Sequence, residues 1–302
     1  MIKSLTITNH LGDSIVLELA RPEKSGFVVK NIDGLGPVKA TINMSTYATC
    51  DGSTFNSAFM DARDINLSLL YYQTENESIE DIRQKSYKYF PNKKKIHLLI
   101  ETDNRTVWTE GYVEDNVPNM FSPDTGCTIT IRCPDPYLYS VDNADTIFHG
   151  TKPLFDFPFG ESSDTEPYEL GSIINLDTAV VVYTGDCDVG CTITIDAIGP
   201  ASDISIFRTN GSEQMNIDTT KLPSSLKSGI DNGDTIIIET SIGKKSVVLV
   251  RDGIQYNILN CVSKESSWFT LSKGDNIFSY GVREGSENIR FRISNKIVYY
   301  GV

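Results

Sequence analysis

Apolar and polar residues alternate with a period of two along most of this chain. Near its end, Phe278 and Tyr280 alternate with smaller residues. Phe291 and Ile293 repeat the alternation with polar residues after the turn residues 284–286. A period of two places every second side chain on one face of an extended strand, and Gly, Asn and Asp between such runs favour turns. This region therefore predicts two strands joined as the closing hairpin of a β-sandwich.

The first 150 residues contain the same alternation in shorter runs, interrupted by one amphipathic segment. Strands are predicted over residues 4–8, 15–18, 27–32, 38–47, 64–72, 96–101, 106–113 and 128–132. A helix is predicted over residues 78–90, with Ile79, Ile82, Ser86 and Tyr89 on one face. Ser78 is suited to cap this helix because Asp81 lies three residues later, and Pro91 ends it.

A proline-containing stretch separates this region from a second series of strands. Residues 151–168 contain Pro153, Pro158 and Pro167 with little periodicity, which is typical of a linker. Further strands are predicted over residues 179–183, 191–197, 205–208, 235–240 and 245–250. We therefore predict a mainly β protein with an N-terminal sandwich domain (1–150), a linker (151–168) and a C-terminal sandwich or jelly-roll domain (169–302).

Length and charge restrict the class of protein. The chain has 302 residues, enough for two domains with their own cores. Its net charge of -13 argues against a protein that binds the nucleic-acid backbone, and Lys93–Lys95 are interpreted as a solvated loop. There is no apolar run long enough for a membrane span, and the first residues resemble a strand rather than an export signal.

No set of residues has the spacing of a catalytic or metal site. The carboxylate pairs Glu110/Glu114 and Asp186/Asp188 fit half-exposed strands and turns better than a glycosidase pair. Cys187 and Cys191 lack a second pair to complete a zinc site, and the six cysteines are expected to be reduced, mostly buried thiols. Residues 231–234 and 142–145 favour turns over calcium sites. We expect no catalytic residue, no cofactor and no metal.

A carbohydrate-binding function is the alternative. Sandwich domains often bind sugars on an aromatic face, and the second region carries Trp268, Phe269, Tyr280, Tyr299 and Tyr300. Core packing accounts for the same residues. Trp268 is the candidate outer-face aromatic, and the corresponding hypothesis is a secreted carbohydrate-binding sandwich protein.

Two stretches, taken together, resemble the distal tail proteins of siphophages. In the first, one strand leads into GYVEDN (residues 111–116) and a later strand leads into IRCPDPYLYS (residues 131–140). The second stretch contains, in order, GDCDVGCTITI, RTNGSEQMNID, GDTIIIET, GKKSVVLVRDG, WFTLSKGDNIFSYG and YYGV. The order and spacing of these motifs over most of the chain carry the resemblance.

The resemblance implies a virion structural protein of a phage, prophage or tail-like particle, assembled in the host cytoplasm and placed at the tail tip. The first domain would be a sandwich with one helix and a long hairpin, and six copies would form a ring at the end of the tail tube. The second domain would be a galectin-like sandwich outside the ring.

The resemblance also implies partners and interface residues. The partners would be further copies of the chain, the tail tube protein, the tail-tip hub or tail-associated protein and a receptor-binding protein, and DNA would pass through the lumen without specific binding. The long hairpin would fall between residues 38 and 72 and turn near Cys50. The candidate subunit-interface residues are Tyr47, Cys50, Asp51, Gly52 and Phe55.

Overall fold

The chain folds into two compact units, each built from antiparallel β-sheets. The computed structural model describes residues 1–119, 121, 124–153, 171–175, 178–208, 213–223, 226 and 229–302. The first unit contains residues 1–141 and 298–302, and the second contains residues 142–297. The mainly β fold class predicted from the alternation is confirmed.

The predicted domain boundaries differ from this division. The second unit begins at residue 142 instead of 169, and residues 298–302 lie in the first unit. Most of the predicted linker, residues 154–168, lies outside the described residues. The residues on either side of it, His149–Pro153 and Gly171–Asn175, pair as an antiparallel two-stranded sheet.

In its described residues, the first unit holds ten strands and one α-helix. The strands are β1 (Ile2–Thr8), β2 (Ser14–Glu18), β3 (Phe27–Asp33), β4 (Ala40–Thr46), β5 (Ser53–Met60), β6 (Arg63–Tyr71), β7 (Lys95–Thr102), β8 (Thr106–Asn119), β9 (Gly126–Cys133) and β10 (Leu138–Ile147), the last continuing into the second unit. A short 3-10 helix spans Pro22–Lys24, and α1 spans Ile79–Tyr89. One layer has the order β10-β8-β7-β1-β2, and the other contains β3, β6, β9 and the second half of β8.

Strand β8 belongs to both layers of the first unit because its register shifts between Val113 and Asp115. Its inward positions are buried, and one of them must be glycine. A Cβ atom on Gly111 would lie 2.6 Å from Ile131 Cγ2 and 2.8 Å from Cys133 Sγ. Apolar side chains of the two layers meet in a single core that includes Leu5, Ile7, Leu67, Leu98 and Ile129.

Helix α1 begins as its sequence predicts. The Ser78 hydroxyl accepts a hydrogen bond from the Asp81 amide, and the Asp81 carboxylate accepts one from the Ser78 amide. Ile82 and Ser86 are buried against the core, while Ile79, which was predicted on the same face, is exposed. Among the described residues, no helix is long and apolar enough to cross a membrane.

We expect Ser78→Ala to lower the free energy of unfolding by about 1 kcal/mol, since the Asp81 amide loses the hydroxyl that accepts its hydrogen bond. Urea denaturation measures the change. Ser78→Thr keeps a capping hydroxyl and is expected to stay close to the parent. Equal losses for the two variants would contradict the capping role.

The second unit is a sandwich of two sheets. Beyond β11 (His149–Pro153) and β12 (Gly171–Asn175), its strands are β13 (Thr178–Tyr183), β14 (Thr192–Ala197), β15 (Ser202–Arg208), β16 (Glu213–Ile217), β17 (Thr235–Glu239), β18 (Ser246–Arg251), β19 (Ile254–Asn257), β20 (Gly274–Glu284) and β21 (Ile289–Tyr299). Three 3-10 helices span Thr219–Lys221, Leu259–Cys261 and Ser286–Asn288. The sheets have the orders β19-β18-β17-β14-β21 and β13-β20-β15-β16.

The predicted closing hairpin is wrong, although both of its strands exist. Strand β20 pairs with β13 and β15, whereas β21 pairs with β14 in the other sheet. Gly285, at φ 78°, and the 3-10 turn after it carry the chain from one sheet to the other. The alternating residues of both strands point into the core, where the rings of Tyr280 and Phe291 stack with centroids 4.1 Å apart.

Candidate functional site

Strands β4 and β5 form a two-stranded sheet of their own, which we call the arm (residues 40–60). Residues 47–52 join the two strands, which is where the hairpin was predicted to turn. The second strand of the hairpin is β5, which the alternation did not reveal. Residues 63–71, which were included in the predicted hairpin, instead form β6 of the core sheet, because Ile65, Leu67 and Leu69 are buried at alternate positions.

The register of the arm places most of its large apolar side chains on one face, and the opposite face is mostly polar, with the exposed Phe59 opposite Thr41 as its apolar exception. Met44 lies opposite Phe55 and Ile42 lies opposite Ala58, so these residues share a face with Ala40 and Met60. The side chains of Ile42, Met44 and Phe55 are 54%, 58% and 62% exposed. We call this the apolar face of the arm. It presents large apolar side chains to solvent on a two-stranded ribbon.

The polar face of the arm satisfies much of its own hydrogen bonding. Asn43 Nδ2 donates to Ser57 Oγ at 3.0 Å, and Asn56 Nδ2, at the β-bulge, donates to Ser45 Oγ at 2.6 Å. Near the base, Thr41 Oγ1 donates to the Asp61 carboxylate at 2.8 Å. These cross-strand contacts stabilise the pairing register of β4 and β5, so the same side chains stay on the apolar face.

The arm has the features of an assembly element. Asp51 is its only charged residue. Within the described part of the chain, β4 and β5 pair only with each other, so each has an outer edge of unpaired backbone groups. An isolated two-stranded hairpin is at best marginally stable in water, and exposed apolar patches mark interaction surfaces. The arm therefore offers both backbone and side-chain contacts to a partner.

The five predicted interface residues lie on this arm. Tyr47, Cys50, Asp51 and Gly52 belong to the connection at its tip, and Phe55 lies on the apolar face. The Tyr47 hydroxyl bonds to Thr54, and Gly52 adopts a φ of 107° that favours glycine. Ile42 and Met44 were not among the predicted interface residues. Their spacing of two within the predicted strand 38–47 was the signal that could have identified them.

Arg63 lies at the base of the arm and is 1% exposed. Its Nη1 atom donates to the carbonyl oxygens of Gly34 and Gly36 at 2.5 and 2.8 Å. Its Nε donates to Pro136 O at 2.8 Å, and its Nη2 donates to Tyr300 O at 2.7 Å. Burial lowers the pKa of this guanidinium from its ordinary value, with nearby Cys133 and Asp135 opposing the shift. The carbonyl dipoles are its direct hydrogen-bond partners.

Three of the other candidate carboxylates have structural partners. Asp234 is buried, and its carboxylate accepts hydrogen bonds from Arg251 Nε and the Asp231 amide at 2.8 Å each. Glu110 pairs with Lys95 at 2.7 Å, and Asp186 pairs with Lys273 at 3.3 Å. In the described ranges, no group of three or more His, Cys, Asp or Glu side chains is arranged to hold a metal.

Four of the six cysteines are buried free thiols, Cys50 is exposed and Cys187 is half-buried. Burial raises the pKa of Cys191 to about 12 and that of Cys133 to about 11, so both thiols are protonated at neutral pH. A protonated, buried thiol is a poor nucleophile and metal ligand. These two cysteines therefore act as small core residues.

Trp268 is not an open aromatic platform. Its ring is partly buried against the core of the second unit, and Lys245 Nζ lies over it at 5.4 Å from the centroid. The packing matches the core explanation given for the aromatic residues of this region. The neighbouring Phe269 is fully buried.

Comparison with known proteins identifies a domain family and solved structures to which this chain is similar. Residues 184–294 match the family model of the siphovirus-type tail component, C-terminal domain. The solved structure of the Dit protein of phage SPP1, described as a paradigm of the hub adsorption apparatus in phages that infect Gram-positive bacteria, superimposes with a TM-score of 0.62 and 12% identity. That similarity covers 97% of this chain and 99% of the SPP1 chain. The resemblance to siphophage distal tail proteins is confirmed.

Two further structures of the phage p2 baseplate in its activated conformation, with Sr and with Ca, show weaker similarity. Each is 13% identical to this chain, with TM-scores of 0.43 and 0.42 and coverage of 97% and 98% of both chains. A comparison of the sequence with curated proteins finds no match. Residues 184–294 of the second unit are thus similar to a phage tail component domain, and the whole chain has the fold of SPP1 Dit.

Proposed function

We propose that this protein forms a hexameric ring at the distal end of a phage tail tube and joins the tube to baseplate or receptor-binding components. The observation that carries this proposal is the arm, a two-stranded ribbon whose strands carry no charged side chain and expose an apolar face, in a chain that shares its fold with SPP1 Dit. In a closed ring each arm contacts the neighbouring copy, which covers its apolar face and pairs its strand edges.

The two units divide this work. The first unit carries the arm and builds the ring with its neighbours and the tube protein. The second unit, whose domain family is a tail component, provides the docking surface for hub, tail-associated or receptor-binding proteins. The acidic chain lets DNA pass through the lumen without specific binding, because phosphate contacts need clustered cations.

The expected assembly is a ring with six times the 33.5 kDa mass of the chain. Native mass spectrometry at micromolar concentration measures this mass, and electron microscopy of purified tails shows whether the ring lies at the distal end of the tube. A monomer in isolation is compatible with a ring that closes only on the tube. A chain that is monomeric in solution and also absent from a tail-tip ring would contradict the proposal.

A further inference from the structure

The direction of the arm depends on two short connections. Residues 34–39 lead into β4, and residues 61 and 62 lead from β5 into β6 of the core sheet. The arm strands pair only with each other among the described residues, so no neighbouring strand of the sandwich fixes their angle. Whatever holds these two connections together therefore sets the direction in which the arm leaves the first unit.

Arg63 binds both connections at once. It is the first residue after the outgoing connection, and its Nη1 atom donates to the carbonyls of Gly34 and Gly36 in the incoming one. The incoming connection lies close to the start of β6. A Cβ atom on Gly34 would be 2.0 Å from Asp64 O, and Gly34 has a φ of 89°. A planar guanidinium with five donors can hold several carbonyls in fixed geometry, which a lysine cannot.

Residues 298–302 complete the base of the arm. Tyr300 O accepts from Arg63 Nη2, and the Val302 amide donates to Leu35 O at 3.2 Å. Gly301 lies so close to the incoming connection that a Cβ atom there would be 2.9 Å from Leu35 O. Arg105 holds the same segment, with its guanidinium 4.2 Å from the Tyr299 ring centroid and Nη1 3.3 Å from Gly301 O.

We propose that Arg63 is a positioning residue which, with residues 298–302, forms a latch that sets the direction of the arm. The latch consists of one buried guanidinium, the connections on either side of the arm that it binds, and residues 298–302. Loosening it frees the arm to sample several directions while the sandwich core stays packed. The link from arm direction to ring assembly rests on the proposed function, but the direction itself is measurable in the unassembled chain.

The test measures the distance between the arm tip and the sandwich. One spin label is placed on Cys50 and another on Gln84→Cys, an exposed position of α1, in a Cys187→Ser background whose other thiols are buried. Labelled chains are diluted into unlabelled ones, and pulsed electron paramagnetic resonance gives the distance distribution. The parent is expected to show one narrow distribution.

Arg63→Gln removes the guanidinium, and Gly301→Ala displaces the last residues from Leu35 without changing charge. Both variants are expected to broaden the distance distribution. Arg132→Gln is the matched control, since Arg132 is an exposed arginine of β9 beside Asp64, and it is expected to match the parent. Gly301→Ala keeps the test valid where Arg63→Gln does not fold.

Distributions as narrow as the parent's in every folded variant would overturn the latch. Ring formation is measured separately for the same proteins. A broad distribution in the variants, together with a parent chain that forms no ring either in solution or at the tail tip, would support the latch and contradict the proposed function. Broad distributions with reduced ring formation support both.

Discussion

Met44→Asp is expected to abolish ring formation while both units remain folded. The side chain is 58% exposed at the centre of the apolar face, so a carboxylate costs the isolated chain little. In the assembled ring the same carboxylate would be buried without a partner, which costs about 3–5 kcal/mol per contact. A ring of six repeats this penalty at every contact. Association at micromolar concentration should therefore be lost.

Asn43→Asp is the matched control for that experiment. Asn43 precedes Met44 in the same strand and receives the same new charge, but its side chain lies on the polar face against Ser57. We expect its rings to be weakened much less than those of Met44→Asp. Light scattering after size exclusion measures the assembly, and circular dichroism checks the fold. An equal loss of ring assembly in the two variants would show that the new charge acts on either face of the arm. Intact rings in Met44→Asp would show that the apolar face is not part of the interface.

A fragment that ends near residue 150 is expected to be less stable than the first unit of the full chain, by about 3–5 kcal/mol. It lacks residues 298–302, so the buried Arg63 guanidinium loses the Tyr300 carbonyl, and the Leu35 carbonyl loses the Val302 amide. The buried side chain of Val298 is also missing from the core. Urea denaturation followed by the fluorescence of Trp108, the only tryptophan in such a fragment, measures the loss.

The control for the fragment restores the missing segment. Residues 298–302 joined to the fragment through a flexible glycine-serine linker should recover most of the stability, whereas the same five residues in scrambled order should not. If the bare fragment were as stable as the restored one, residues 298–302 would be dispensable for the first unit. This outcome would also weaken the case for the latch.

The alternation of apolar residues located most strands and the helix, because the side-chain period reflects which face is buried. It could not identify the partner of a strand. β20 and β21 show the pattern of a hairpin, yet they face each other across the core from different sheets. Strand β5 was not predicted because serine, threonine and asparagine occupy much of it, and its apolar residues face solvent instead of a core.

No pattern in the sequence indicated how the base of the arm is held. Arg63 reads as an ordinary charged residue at the start of a strand, and its acceptors are main-chain carbonyls 27 to 237 residues away. Backbone carbonyls are present at every residue, so their use as ligands cannot be read from residue types. The boundary at 297/298 was equally hidden, because β21 runs across it without a break, a glycine or a proline.

The division of the first unit between residues 1–141 and 298–302 also has a consequence during translation. At ~5–20 residues per second, the ribosome needs roughly 8 to 30 s to make the intervening residues 142–297. Throughout this interval Arg63 lacks its Tyr300 acceptor. Neighbouring nascent chains on one messenger RNA therefore carry arms whose bases are incomplete, and each arm is finished only after the second unit has been synthesised. In the proposed ring, each chain would therefore complete the base of its arm only at the end of its own synthesis.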